Sequence, residues 1–250
     1  MRSLLFLAAV LTLWQTPSLA QQSKKPYFAD LGEPTFELGM SLVRVSRTEE
    51  EADLDEDNVD YEENATVTVT PQLGLNGYVA RWWAGINVLT GKDAVGGGLG
   101  LGYLINENVY LGGVLAHIDI NTKTEIDEDG GNDIDVDRSL KIQKIGPVAI
   151  YRDNNAERLL QGFAGLMFVK RKGEVEVDVS AGDNSTDSEV KYTAIEIGGS
   201  YHRHIFQRLA AGVGASYSLA INGDAEVNDA DGDFDRNNLT LELLNLILFF

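Results

Sequence analysis

The stretch LTLELLNLILFF, residues 239–250, closes the chain and decides its fold class. Beyond Glu242 every second residue is large and apolar: Leu244, Leu246, Leu248 and Phe250. A β-strand sends alternate side chains to one face, so these groups would share a surface. In water, a free strand edge this apolar promotes aggregation. The pattern therefore favours a closing strand whose apolar face meets lipid.

The same alternation recurs along the chain and predicts ten strands. It is clearest over residues 66–75 and 209–221. Counting gives eight strands instead if residues 81–95 contribute no hairpin. In the strand over residues 136–151, Lys144 interrupts the apolar phase, which predicts a β-bulge. Tight turns are predicted at Asn76 and Gly77, a strong hairpin dipeptide, and at residues 106–108, 153–155 and 206–208.

Longer polar connections alternate with these tight turns. They cover residues 49–64, 123–135, 180–188 and 222–238, and all but the third are rich in Asp and Glu. Such acidic stretches are predicted to be solvated loops. Short turns at one end and long loops at the other are typical of an up-and-down membrane barrel, whose strands of about ten residues cross the bilayer at a tilt. The sequence therefore predicts an all-β, antiparallel transmembrane β-barrel.

The beginning of the chain predicts export from the cytoplasm. Arg2, an apolar run over residues 4–13 and the small residues before Gln21 form the pattern of a secretory signal peptide, residues 1–20. The apolar run is too short to span a bilayer. Residues 21–250 would then be one barrel domain, a size that a single β domain can have.

Composition excludes several classes of protein. There is no cysteine, so a disulfide-stapled secreted scaffold is excluded. The formal net charge of −19 argues against nucleic acid as a partner, because phosphates require Lys and Arg. A mean hydropathy of −0.13 excludes a helical membrane bundle. It permits a membrane barrel, in which only one face of each strand meets lipid.

A soluble barrel or sandwich would need a polar outer face, whereas here the polar face, rich in Gly and Thr, must point inward. Over residues 21–250, the layout and the Phe250 ending resemble the small outer-membrane β-barrels of Gram-negative bacteria, such as the OmpX, OmpW and OmpA-barrel groups. No motif specific to one subfamily is present.

This resemblance implies an integral protein of the Gram-negative outer membrane. Its partners would be membrane lipid, lipopolysaccharide and, during insertion, the barrel-assembly machinery. In that family an aromatic ending forms part of the assembly signal, here Leu244, Leu246, Leu248 and Phe250. The resemblance implies no substrate and no extracellular ligand.

The polar strand faces predict a charged lumen lined by Glu37, Arg81, His117, Asp119, Lys141, Glu196 and His202. Eight or ten strands enclose little more than side-chain volume, and an unpaired buried charge is costly. These groups are therefore predicted to pair and to fill the interior. A narrow channel for small solutes is the alternative interpretation of the same residues.

A catalytic site is not predicted. An enzyme needs a nucleophile or base held by an orienting partner. His117 and Asp119 share a strand face, but such spacing arises in any strand, and no hydrolase motif is present. A membrane-embedded hydrolase or acyltransferase acting on lipid or peptide is the second alternative. The stretch GGGLGLG, residues 96–102, lacks a nucleotide-binding spacing and is predicted to relieve crowding in the barrel wall.

Alternating carboxylates near residue 232 raise the hypothesis of a calcium site. Calcium takes six or more oxygen ligands, which here would come from Asp229, Asp231, Asp233 and Asp235. Phe234 and Thr240 occupy the positions where an EF-hand loop has Gly and Glu. Solvated, mutually repelling loops are therefore favoured and no cofactor is predicted. Weakly bound Ca²⁺ that bridges to lipopolysaccharide is the competing hypothesis.

The most consistent interpretation is an outer-membrane barrel with a filled, charged lumen, acidic extracellular loops and a structural or surface-interaction role.

Overall fold

The computed structural model describes residues 35–54, 59–69, 71–91, 94–127, 133–155, 157–179, 182–227 and 230–250. The predicted signal peptide, residues 1–20, lies outside these ranges. The described residues form strands and turns and include no helix. Among them, no helix could therefore cross a membrane.

Eleven β-segments follow one another along the chain. They are β1 (Thr35–Leu54), β2 (Val59–Val69), β3 (Gln72–Val79), β4 (Trp82–Thr90), β5 (Ala94–Leu104), β6 (Val109–Asp127), β7 (Asp133–Asn154), β8 (Arg158–Val179), β9 (Gly182–Phe206), β10 (Leu209–Val227) and β11 (Ala230–Phe249).

Pairing of the first and last segments closes the sheet. β2 and β3 both pair with β1 and form one wall strand that is interrupted at Pro71, which has no N–H to donate to the ladder. β1 also pairs antiparallel with β11. The result is a closed barrel of ten antiparallel strands, which confirms the predicted fold class and strand count.

The outer face of the wall is apolar through the middle of the barrel. Every wall strand contributes at least one large apolar side chain that is more than a third exposed. Examples, one for each strand, are Phe36, Leu73, Ile86, Leu99, Leu115, Ile145, Phe168, Ile197, Tyr217 and Leu241. We call this surface the apolar belt. A belt of this kind suits the hydrocarbon interior of a membrane.

Short turns join the strands at one end of the barrel, called here the turn end. They lie at Ala80–Arg81, at residues 105–108, between β7 and β8, and at residues 207–208. Side-chain oxygens of Asn106 and Asn155 each accept two backbone N–H groups and hold their turns in shape. Chain reversal at Asn76 and Gly77 was a wrong prediction, since both lie inside β3. The reversal comes at Ala80, a non-glycine residue with a φ of 52°.

The opposite end, called the hairpin end, differs from prediction because the acidic segments are largely strands. β1 and β2 extend through most of residues 49–64. β10 and β11 likewise occupy most of residues 222–238, and β9 begins at Gly182. The acidic composition of these segments predicted loops, because carboxylate side chains seldom pack into a protein core. A two-stranded ribbon in water, however, satisfies its backbone hydrogen bonds and needs no buried side chains.

The bulges also lie elsewhere than predicted. The β6–β7 register is continuous through Lys144, so that residue is no bulge. Register shifts instead occur in β1 between Ser41 and Arg44 and in β11 between Glu242 and Asn245. Because an extra residue reverses the side-chain phase, Glu242 and Asn245 both point inward. Glu242 therefore does not share a face with Leu246, Leu248 and Phe250.

Candidate functional site: the barrel interior

An ion pair crosses the whole interior near the turn end. Arg152 on β7 donates from Nη2 to Oε1 of Glu37 on β1, and the Glu37 side chain is only 1% exposed. Around the wall, β1 is the first strand and β7 the sixth of ten. These two strands are diametrically opposed, so the pair spans the diameter of the barrel.

Aromatic rings fill the space beside this pair. The Arg152 guanidinium lies 4.4 Å from the centre of the Tyr78 ring, in cation–π geometry. Tyr78 and Tyr110 meet edge to face, with ring centres 5.7 Å apart. Trp83 and Leu104 complete a buried cluster with the two tyrosines. Side chains from β3, β4, β5, β6 and β7 therefore converge on one level of the lumen.

Two histidines occupy the remaining sector at this level. His202 and His204 are consecutive inward residues of β9 and both are buried. His204 Nε2 lies 3.0 Å from Asn154 Oδ1, and its ring lies 5.2 Å from that of Phe249. Leu159 and Phe249 belong to a further buried cluster nearby.

A second polar layer lies towards the hairpin end. Lys144 on β7 donates to Oε1 of Glu196 on β9, across the inner face of β8. Glu242 accepts a hydrogen bond of 2.6 Å from Asn245 and lies 4.0 Å from Arg44. The two bulges make this layer possible because they turn Arg44 and Glu242 into the lumen.

An apolar layer lies above the polar one. Nine buried side chains form a single cluster there, and partly buried neighbours such as Ile118 pack against it. Tyr192 and Phe234 belong to this cluster, and Arg236 donates a 2.6 Å hydrogen bond to the Tyr192 hydroxyl. Inward side chains are thus mainly charged and aromatic near the turn end and mainly apolar, with Arg236 among them, nearer the hairpin end.

The predicted lumen residues divide into two sets. Glu37, Glu196 and His202 lie in the interior networks described above. Arg81 lies in the exposed β3–β4 turn, whereas His117, Asp119 and Lys141 project from the outer face of β6 and β7. The predicted phase of β6 fails because Val114, Ile118 and Ile120 pack against the interior cluster. Their polar neighbours must therefore face out.

Several interior residues escaped prediction, namely Arg44, Lys144, Arg152, His204, Glu242 and Asn245. The sequence contained a signal for the inward position of Lys144 and Arg152, because their side chains alternate in the same phase as those of Ile142, Val148 and Ile150. It was hidden by the assumption that apolar residues in a membrane barrel face outward. No sequence signal marked the contact between Arg152 and Glu37, which lie 115 positions apart.

The candidate calcium ligands are spread along a strand. Asp229 lies outside the described residues, and Asp231, Asp233 and Asp235 belong to β11. In an extended strand, alternate residues lie nearly 7 Å apart, too far to wrap one ion as a loop does. Within the described part of the chain, no three acidic, histidine or cysteine side chains are grouped to hold a metal.

The residues of the candidate assembly signal lie on β11 and just beyond it. Leu248 and Phe250 are exposed on the outer face, and Leu244 lies at the bulge. The backbone N–H of Phe250 donates to the Phe36 carbonyl at 2.9 Å. The aromatic end of the chain is therefore tied to the first strand at the seam of the barrel.

The chain is similar in fold to solved outer-membrane proteins. The outer-membrane protease OmpT from Escherichia coli aligns with a TM-score of 0.58 and 12% identity, over 92% of this chain and 99% of that one. Ail, the attachment invasion locus protein of Yersinia pestis, aligns at 0.32 and 15%, over 88% and 99%. Neisserial surface protein A aligns at 0.33 and 11%, over 85% and 96%.

The sequence itself matches no protein-family model and no curated protein. The fold is that of the Gram-negative outer-membrane β-barrels, as the resemblance implied. In such barrels the short turns face the periplasm and the longer connections face the exterior. The turn end is therefore periplasmic and the hairpin end extracellular.

Proposed function

We propose that this outer-membrane protein is a closed, non-conducting barrel whose role is structural or surface interaction. The observation that carries the proposal is the Glu37–Arg152 pair, because it joins opposite walls across the lumen. Both groups are almost fully buried, and a buried charge is stable only while it is paired. The Glu37–Arg152 pair is therefore a fixed obstacle across the interior, and we call it the bar.

The rest of the interior supports the same role. The aromatic rings of Tyr78 and Tyr110 lie beside the bar, and the apolar cluster containing Phe234 covers it from the extracellular side. Cations would have to pass this apolar cluster and the Arg171 and Arg236 guanidinium groups that lie over two of its rings, which is unfavourable.

The extracellular hairpins are the part of the molecule available for interaction. A membrane crossing takes about 9–11 residues in a tilted strand. β9 has 25 residues and β7 and β8 have 22 each, so about half of each strand extends beyond the membrane. These ribbons offer a large rigid surface to the exterior.

We also propose that the chain is not an enzyme. OmpT is a protease by its description, but an identity of 12% supports likeness of fold alone. The hydrogen-bonded pair of His117 and Asp119, with ring nitrogen and carboxylate oxygen 3.2 Å apart, lies on the outer wall and not in a cleft.

Single-channel recording in a planar bilayer tests the closed lumen. We expect the refolded wild-type protein to insert without conducting. The double variant Glu37→Ala/Arg152→Ala removes the bar and leaves no unpaired charge, but the apolar cluster still covers the lumen, so we expect this variant to stay silent as well. Arg81→Ala removes a cation from an exposed periplasmic turn and should stay silent. Steady conductance of the wild-type protein would overturn the proposal in favour of a narrow channel.

A further inference from the structure

The extracellular rim of the barrel has a gap where two neighbouring wall strands, β4 and β5, stop short. The Gly91 backbone N–H donates to the Ala94 carbonyl at 2.7 Å, and this turn ends the β4–β5 hairpin. The top of the hairpin lies level with Pro71 on one side and with Ile120 on the other. Beyond that level, β2 continues on the first side and residues 121–127 of β6 continue on the second. We call the space between these two segments the rim gap.

Both sides of the rim gap are strand edges without a neighbour. Among the described segments, β1 is the only partner of β2, and β7 is the only partner of residues 121–127 of β6. Unpaired backbone N–H and C=O groups on such edges are a template for pairing with another chain. Adjacent strands lie about 4.8 Å apart, so two absent strands leave about 14 Å between the edges. The rim gap therefore has the width of one β-hairpin.

The directions of the two edge strands fit a hairpin that enters turn first. β2 runs towards the membrane, and β6 runs away from it. A hairpin whose turn rests against the β4–β5 turn places its descending strand beside β6 and its ascending strand beside β2. Both new pairings are then antiparallel, like every pairing in the wall.

Rows of acidic residues end at both edges of the rim gap. In the strand register, four aspartates lie directly opposite one another across β10, β11, β1 and β2. This row consists of Asp224, Asp233, Asp53 and, at the edge, Asp60. A second row crosses β9, β8, β7 and β6 in the same way. It consists of Asp183, Asp178, Asp135 and, at the edge, Glu125.

The charge of the two rows selects the partner. Like charges that lie directly opposite each other in a sheet are destabilising. A cationic strand added at either edge relieves this repulsion. A second copy of the chain is an unfavourable occupant, because its own extracellular hairpins carry the same acidic rows and the chain has a net charge of −19.

We propose that the rim gap is the docking site for a polypeptide that presents a cationic β-hairpin. The hairpin completes the rim by pairing with β2 and with residues 121–127 of β6. Backbone hydrogen bonds supply affinity, as in other cases of strand addition, and the acidic rows supply selectivity for Lys and Arg. This inference names the partner of the proposed surface role and rests on that role. A closed barrel need not bind a hairpin, so the binding experiment and the conductance experiment fail separately.

Binding of a synthetic hairpin to the refolded full-length protein in zwitterionic detergent tests the inference, with fluorescence anisotropy as the readout. The probe is closed by a disulfide bond, and its strands alternate Lys and Thr on either side of an Asn-Gly turn. A second probe carries the same charges but is N-methylated along both outer edges, which removes the backbone donors. We expect the first probe to bind and the methylated probe to bind about tenfold more weakly. Equal binding of the two probes would overturn the inference, and so would no binding of the first.

Charge variants of the protein distinguish the two edges from the rest of the rim. Asp60→Asn/Glu125→Gln removes one carboxylate from each edge and should weaken binding about two- to fivefold for each carboxylate removed. Glu174→Gln/Asp187→Asn is the matched control, because these residues lie opposite each other on β8 and β9, away from the rim gap. The control variant should bind the probe as the wild-type protein does. Equal losses in the two variants would show attraction to the whole acidic rim and would overturn the inference.

Filling the rim gap from within tests the position of the site. A longer β4–β5 hairpin, built between Gly91 and Ala94 so that it reaches the end of β6, occupies both free edges. This variant should lose binding of the probe while it keeps the fast-migrating folded band on unheated gels. A folded variant that still binds the hairpin would place the site elsewhere and overturn the inference.

Discussion

The position of the Trp83 ring determines which residue fits at position 100 on the inner wall. The Trp83 indole N–H donates to Asn76 Oδ1 at 3.1 Å, which lays the ring flat over β5. A Cβ atom at Gly100 would overlap that ring. The alternating glycines of residues 96–102 thus relieve crowding, as the sequence predicted.

Gly100→Ala should therefore destabilise the barrel by about 1–3 kcal/mol, the usual cost of overpacking. Urea unfolding in phospholipid vesicles, followed by Trp fluorescence, measures the change. Gly113→Ala is the matched control. A Cβ atom at Gly113 would meet its nearest neighbour at 3.6 Å, an ordinary contact. Equal losses in the two variants would contradict the role assigned to the Trp83 ring.

At the residue scale, prediction succeeded where the phase of a strand was unambiguous and failed where both faces carry apolar groups. Glu196 and His202 were placed inside because β9 alternates cleanly. His117 and Asp119 were misplaced because Val114 and Ile118 fill the lumen instead of facing lipid. Hydrophobicity shows that a face is buried from water. It does not distinguish burial in lipid from burial in a protein core.

Among the strands, β11 is the one in which the orientation of the side chains depends most on a β-bulge. The inward position of Glu242 requires the extra residue between it and Asn245. Deletion of Leu243 and Leu244 together places Glu242 next to Asn245, so it should reverse the phase of residues 230–242 and turn Glu242 towards lipid. It would break a hydrogen bond to a charged group, a loss of about 1.5–3 kcal/mol, in addition to the cost of exposing the charge.

We expect this double deletion to abolish folding, seen as loss of the fast-migrating folded band on unheated gels. Leu243→Ala keeps the bulge and should retain that band. A folded deletion variant would show that register in β11 is set elsewhere, for example by pairing at the end of the chain.

The strands of the acidic hairpins could not be predicted from the sequence. Strand boundaries near the membrane were found because apolar alternation ends there. Beyond the membrane, β1, β2, β10 and β11 continue with polar residues on both faces. Nothing in such a pattern separates a ribbon from a loop, since the backbone pairing that defines the ribbon depends on a distant partner segment.

At the scale of the whole molecule, the Glu37–Arg152 pair links strands that have no wall contact with each other. Arg152→Met should cost about 3–5 kcal/mol, because it leaves a buried carboxylate without its partner. The double variant Glu37→Met/Arg152→Met should recover much of that loss. Urea unfolding of the wild-type protein and of the single and double variants measures the coupling. Additive losses would contradict a direct interaction across the lumen.

The ten-strand architecture itself was predictable, because alternation, turn spacing and an aromatic ending all point to one closed sheet. The contents of the lumen were not, since they depend on which strands lie opposite each other. That relation follows from closure, and closure is a property of the complete ring and of no single segment.

The rim of this ring is uneven, and its unevenness has a dynamic consequence. The β4–β5 hairpin ends at Thr90 and Ala94, whereas β2 and residues 121–127 of β6 continue beyond it. In the described part of the chain, β2 pairs with β1 alone. Amide hydrogens on the two edges that border this gap therefore face water. They should exchange for deuterium within seconds, while the amides that link β8 to β9 at the same height remain protected.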